Sequence, residues 1–207
     1  MDGMVDASKV PCVYKSFGYE RYADQHLLAE HSSRCAHAPC YSYECTPSFE
    51  GSPASLVHHL TAPSVEHYWP VTVNMKYETC YPFAVTESPE GHQRLLVTEE
   101  DDIVFLLIVG SGEASAGHHP ISVVCVRGNA TDADTRPLYG CVLTVAAPQR
   151  YVGAHPGSMT LTRTVPSCYI PADVDMEDPW YDFHPNMVHG NSKELHLDIC
   201  ITNIANC

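Results

Sequence analysis

From Val71 onward, apolar residues arrive in short blocks separated by Gly, Pro and Asp, a spacing that suits strands rather than helices. The blocks are Val71 to Tyr77, Arg94 to Thr98, Ile103 to Val109, Ile121 to Val126, Cys141 to Ala146, Met159 to Val165 and Leu195 to Ile201. In the last of them Leu195, Leu197, Ile199 and Ile201 alternate with His196, Asp198, Cys200 and Thr202, which predicts a strand with one buried face. Arg94 to Val109 reads as a hairpin with Glu99-Glu100-Asp101-Asp102 at its tip. A parallel sheet would need helical crossovers between these blocks, and no helical pattern lies there. The expectation is therefore an antiparallel β-sandwich. Pro171 to Ser192, with three prolines and five acidic residues, predicts a long exposed loop before the final strand. It lacks the glycine turn and closing glutamate of a calcium hand.

The pattern changes before about Trp69. There the chain is rich in Cys, His and Tyr and holds two short helical stretches. Leu27, Leu28 and His31 follow Asp24 at helical spacing, and Ser52-Pro53 supplies a cap and a first-turn proline before Leu56, His59 and Leu60. Each predicted helix ends near a candidate metal ligand, and the boundary between the two regions falls at Tyr68-Trp69-Pro70.

Charge narrows the classes. Eleven Lys and Arg against 25 Asp and Glu give a formal net charge of -14, which repels phosphate backbones and anionic lipid, so neither nucleic acid nor a membrane is an expected partner. The longest apolar run, Ile103 to Val109, is too short to span a bilayer, and the segment Met1 to Lys9 lacks the apolar core of a signal peptide. A soluble cytoplasmic or nuclear protein is the expectation. On that reading the sequon Asn129-Ala130-Thr131 carries no weight, and Cys125, Cys141 and Cys200, inside strand blocks, are expected to be buried free thiols. No Walker loop, dinucleotide fingerprint, Gly-x-Ser-x-Gly or His-Glu-x-x-His occurs.

The informative spacing is in the first quarter. Cys12 is followed by six residues to Tyr19, eleven to His31 and three to Cys35. Cys and His are ligands of tetrahedral structural zinc, and a His-x3-Cys step lets one helix end present both. Cys40, Cys45, His59 and His67 form a second candidate set.

The residues around these positions resemble the zinc-finger segment of the seven-in-absentia (SIAH/SINA) family of RING-type ubiquitin ligases, particularly its plant SINA-like branch. Val10-Pro11-Cys12, Phe17-Gly18, Ala29-Glu30-His31, Cys35, His37-Ala38-Pro39-Cys40 and Phe49-Glu50-Gly51-Ser52 with Leu56 and His59 carry the likeness in order, and Asp102 to Leu106 is similar to a strand of the family's TRAF-like sandwich. The resemblance implies three parts. Residues 1–11 correspond to the linker after a RING, 12–68 to a degenerate SIAH-type double finger with short helices, and 69–207 to a TRAF-like substrate-binding sandwich. It also implies structural zinc as the cofactor, and protein substrates or peptides as ligands. The expected association is a homodimer or a heterodimer with SINA-type ligases, in the ubiquitin conjugation pathway. The family's second ligand falls on Tyr19, a phenol and a poor zinc ligand. In the second finger the family spacing lands on Pro47, and Pro63 and Ser64 stand where the final histidine is expected. No RING pattern precedes Cys12, so these residues alone are expected not to transfer ubiquitin.

Three other readings stay open. Cys12, His31, Cys35, Cys40 and His59 can be remnants of a zinc-binding ancestor, packed as core residues with zinc partly or wholly lost. The module can be a free-standing adaptor or decoy unrelated to ubiquitin transfer. A metal- or thiol-dependent enzyme would use His58-His59 or His118-His119, but adjacent histidines diverge on a strand or a helix and rarely share one ion.

Overall fold

The computed structural model describes residues 8–18, 20, 22–35, 37–42, 48–62, 69–70, 73–89, 91–111, 117–129, 138–148, 157–169, 174, 179–191 and 193–204. The protein is mainly β and divides into two compact units. The first comprises Met1–Tyr68, Val126–Asp134 and Ser167–Val174, and the second Trp69–Cys125, Thr135–Pro166 and Asp175–Cys207. Two segments far along the chain therefore group with the N-terminal region. No helix among the described residues is long and apolar enough to cross a membrane.

In the first unit, β1 (Lys9–Pro11) pairs antiparallel with β2 (Tyr22–Asp24). A 3-10 turn over Gln25–Leu27 leads into helix α1 (Leu28–Arg34). Asp24 makes no side-chain cap, so the helix that the spacing places after it begins four residues on, through that turn. A second hairpin joins β3 (Cys40–Ser42) to β4 (Phe49–Gly51). Helix α2 (Pro53–Thr61) begins as its sequence requires: Ser52 Oγ accepts from the Ser55 N–H at 3.3 Å, Pro53 occupies the first turn, and Pro53, Leu56 and Leu60 are buried.

The second unit holds two sheets around one core. One runs β11 (Ser158–Thr164), β10 (Tyr139–Ala146), β14 (Glu194–Asn203), β6 (Cys80–Thr86), all antiparallel. In the other, β9 (His119–Val126), β8 (Val104–Val109), β7 (His92–Thr98) and β5 (Val73–Met75) lie in that order, and β13 (Tyr181–Phe183) pairs with β9. Phe83, Leu143, Leu197 and Ile199 from the first sheet meet Phe105, Leu107, Ile121 and Val123 from the second in a single apolar cluster. The predicted face of β14 points inward, with Leu195, Leu197, Ile199 and Ile201 at most 2% exposed. Cys125, Cys141 and Cys200 are buried cysteines outside any disulfide.

The predicted hairpin forms between β7 and β8. At its tip Thr98 Oγ1 accepts from the Ile103 N–H at 2.9 Å and donates to Asp101 at 2.5 Å, while Asp102 takes the left-handed φ of 56° that Asp tolerates.

Two expectations need correction. β5 pairs with β7 in parallel, so the sheets are not wholly antiparallel. The segment expected as an exposed loop contains β13 and a 3-10 turn at Pro185–Met187, and within it Trp180 and Phe183 are 8% and 0% exposed. Two aromatic rings withdrawn from water outweigh the acidic residues around them. Of those residues Asp173, Asp175, Glu177 and Asp178 lie outside the described residues, and Asp182 faces His118 Nδ1 at 3.4 Å.

Candidate metal centre

The first unit brings Cys12, His31 and Cys35 together. Cys12 leaves β1, whose pairing with β2 returns the chain beside it and sets the start of α1. His31 lies on α1 and Cys35 is its C-terminal cap, so a four-residue step places both on one face of the helix. Their ligand atoms and Cys12 Sγ lie within 4.8 Å of one another. Cys12 and Cys35 are 3% and 5% exposed. The Sγ atoms are 3.9 Å apart, and His31 Nε2 is 3.1 Å from Cys12 Sγ.

The sulfur separation suits a common ion. Two sulfurs held tetrahedrally at bonds of about 2.3 Å stand roughly 3.8 Å apart, and a sulfur and an imidazole nitrogen about 3.5 Å. The sulfur pair matches the first value. The nitrogen lies closer than the second, at hydrogen-bond range. The cluster can hold a metal ion.

Burial pushes the Cys35 thiol up to about 11, a backbone hydrogen bond from His37 acts the other way, and the Cys12 thiol raises it further. A thiol so raised is protonated at neutral pH, so an ion binding here displaces a proton. The Tyr14 N–H points at Cys12 Sγ at 3.4 Å, a donor suited to a sulfur carrying negative charge.

Support for the centre comes from a segment that the sequence reading passed over. Arg127 Nη2 donates to Ser33 O at 2.9 Å, Asn129 Nδ2 donates to Ser32 O at 2.9 Å and Cys35 O at 3.4 Å, and Arg127 Nε donates to Asn129 Oδ1 at 3.1 Å. The two side chains satisfy carbonyls at the end of α1 that helix geometry leaves open. The sequon residue Asn129 thus spends its amide inside the unit. Between them, Gly128 passes so near Pro39 that a Cβ there would stand 1.9 Å from the Pro39 carbonyl oxygen. Gly128→Ala is expected to cost about 1–3 kcal/mol, since backbone must move to admit the methyl. In Gly157→Ala the added Cβ would meet Ala147 at an ordinary 3.6 Å, and that change should stay within about 0.5 kcal/mol, both variants being read by urea unfolding followed by far-UV circular dichroism.

The second candidate set is described in part. Cys40, fully buried on β3, donates its thiol to Gly51 O at 3.3 Å, and burial pushes it up to about 12 against a backbone hydrogen bond that lowers it. His59, on α2, stacks on Phe49 of β4 with ring centroids 4.8 Å apart. Both residues therefore address the same hairpin. Cys45 and His67 lie outside the described residues, as do Tyr19 and Pro47. The paired histidines diverge: His58 is exposed while His59 stacks, and His118 faces Asp182 while His119 is 4% exposed. No protein-family model matches the chain, and no curated protein matches it.

Proposed function

We propose that the protein is the substrate-binding and dimerisation module of a SINA-like ubiquitin ligase, with structural zinc in its first unit. The observation that carries this reading is the meeting of Cys12, His31 and Cys35 with ligand atoms within 4.8 Å of one another and sulfurs 3.9 Å apart, from positions that resemble the family's first finger. Zinc is the ion that two thiolates and an imidazole favour, and the role is structural because buried thiol ligands leave little room for substrate. Cys40, Cys45, His59 and His67 would serve a second, similar site. The two-sheet second unit would act as the TRAF-like part, pairing with a second copy or a full-length relative and accepting an extended peptide along an exposed strand. A cytoplasmic or nuclear setting would suit the cysteines that the described residues hold outside any disulfide.

An affinity pull-down from the native cell, scored for SINA-type ligases, tests partner and pathway together. Their recovery is the expected result, whereas partners wholly outside ubiquitin transfer would favour a free-standing adaptor. These 207 residues mixed with conjugating enzyme, ubiquitin and ATP should form no chains. Chains made by this polypeptide alone would overturn the assignment of transfer to a separate RING.

A further inference from the structure

The sheet that carries β14 also brings two thiols face to face. β6 opens at Cys80, and its antiparallel pairing with β14 sets Cys80 directly opposite Cys200. Phe83 and Val85 of β6 and Leu197, Ile199 and Ile201 of β14 turn into the core. Strand alternation therefore puts Cys80 and Cys200 together on the other face. Residues opposed in an antiparallel ladder have Cα atoms about 4.5 to 5.5 Å apart, whichever kind of pair they form. A disulfide needs roughly 4.4 to 6.8 Å, so the backbone is already in place.

The two thiols differ in a way that divides the chemistry. Cys80 is exposed, while Cys200 is 8% exposed. Burial first, then the hydrogen bond with Cys80 and the charges of Cys80 and Glu78, push the Cys200 thiol up to about 11. The accessible sulfur is thus the one that meets a reagent, and the protonated, sheltered one stands next to it. Cys141 stays outside the pair, because it sits opposite Ile201 on β10 and points into the core.

We propose that Cys80 and Cys200 form a reversible thiol–disulfide couple that reacts with low-molecular-weight disulfides, Cys80 attacking and Cys200 resolving. The Cys80 thiolate, its proton lost to solvent, attacks one sulfur of glutathione disulfide and expels a glutathione thiolate, leaving a mixed disulfide on Cys80. Cys200 then gives its proton to solvent and attacks the Cys80 sulfur, which breaks the mixed disulfide and releases the second glutathione thiolate. Both expelled thiolates take up protons. Two protein thiols are oxidised to one disulfide, and one glutathione disulfide is reduced to two thiols. This inference is independent of the ligase reading.

The test uses the reduced 207-residue chain carrying Cys207→Ser, because no Lys or Arg separates Cys200 from Cys207 and a tryptic peptide would otherwise hold both. After exposure to oxidised glutathione at neutral pH, non-reducing peptide mapping should find residues 77–94 joined to 194–207, at a mass about 2 Da below the sum of the free peptides. The link should vanish in Cys80→Ser, where Cys200 should also stay unmodified, and persist in Cys168→Ser. Cys200→Ser should stop at a glutathione adduct on Cys80. A lasting adduct on Cys80 in the parent chain, unreacted thiols, or linkage of Cys80 to any other cysteine would overturn the proposal.

Discussion

Ile199→Asp is expected to unfold the second unit. Ile199 is fully buried on β14 between Tyr81 of β6 and Leu143 of β10, and it joins the cluster that both sheets share. A carboxylate there would be flanked by apolar side chains, so it must either protonate or drag water into the core. Either route adds to the lost transfer energy of the isoleucine, about 1.5–3 kcal/mol, a desolvation cost of several kcal/mol. A domain stable by about 5–15 kcal/mol seldom survives such a sum. Asp198→Ala, one residue away on the exposed face, should change stability by no more than about 0.5 kcal/mol. The chain's two tryptophans, Trp69 and Trp180, both belong to the second unit, so their emission in urea reports that unit. An unchanged midpoint for Ile199→Asp would mean that β14 does not face inward.

Why β14 was legible and other elements were not follows from what surrounds each. β14 has one inward face, so its sequence alternates. β8 and β9 are buried at every position, and Ile103 to Val109 accordingly reads as an unbroken apolar run that periodicity alone cannot orient. β6 escaped notice because Pro82 stands inside it, and proline argues against a strand. Yet β6 is an edge strand, where proline is tolerated. β13 lay hidden among acidic residues and prolines, though Trp180 and Phe183 were its signal. The parallel partner of β5 depends on where a three-residue strand docks, and that is not written in its own sequence.

The candidate centre divides in the same manner. The His31–Cys35 step was readable because one helix turn sets it. The nearness of Cys12 depends on the pairing of β1 with β2, which the family-like spacing encoded only indirectly. Arg127 and Asn129 reach Ser33 and Ser32 across sequence separations of 94 and 97 residues, and nothing local marks them.

The parent chain is expected to bind at most two equivalents of zinc, and Cys35→Ser to bind one fewer. A structural zinc site of this kind is worth about 10–16 kcal/mol of apparent binding energy in a small finger, and that energy is also folding energy. Three ligands already fall short of the usual four, so loss of a thiolate should bring the affinity below what survives dialysis against a mild chelator. Because zinc must displace the proton that burial holds on Cys35, whose thiol is pushed up to about 11, affinity should rise with pH from the acid side through neutrality. Tyr19→Cys adds a thiolate at the position where the family places its second ligand, and should raise zinc retention above that of the parent chain. Elemental analysis of the three proteins reads the stoichiometry, and tryptophan emission checks that the second unit keeps its fold. Equal zinc in the parent and Cys35→Ser would show that this cluster is not the site. Zinc in none of the three would leave Cys12, His31 and Cys35 as packed residues without a metal, held together by burial and by the Arg127 and Asn129 hydrogen bonds.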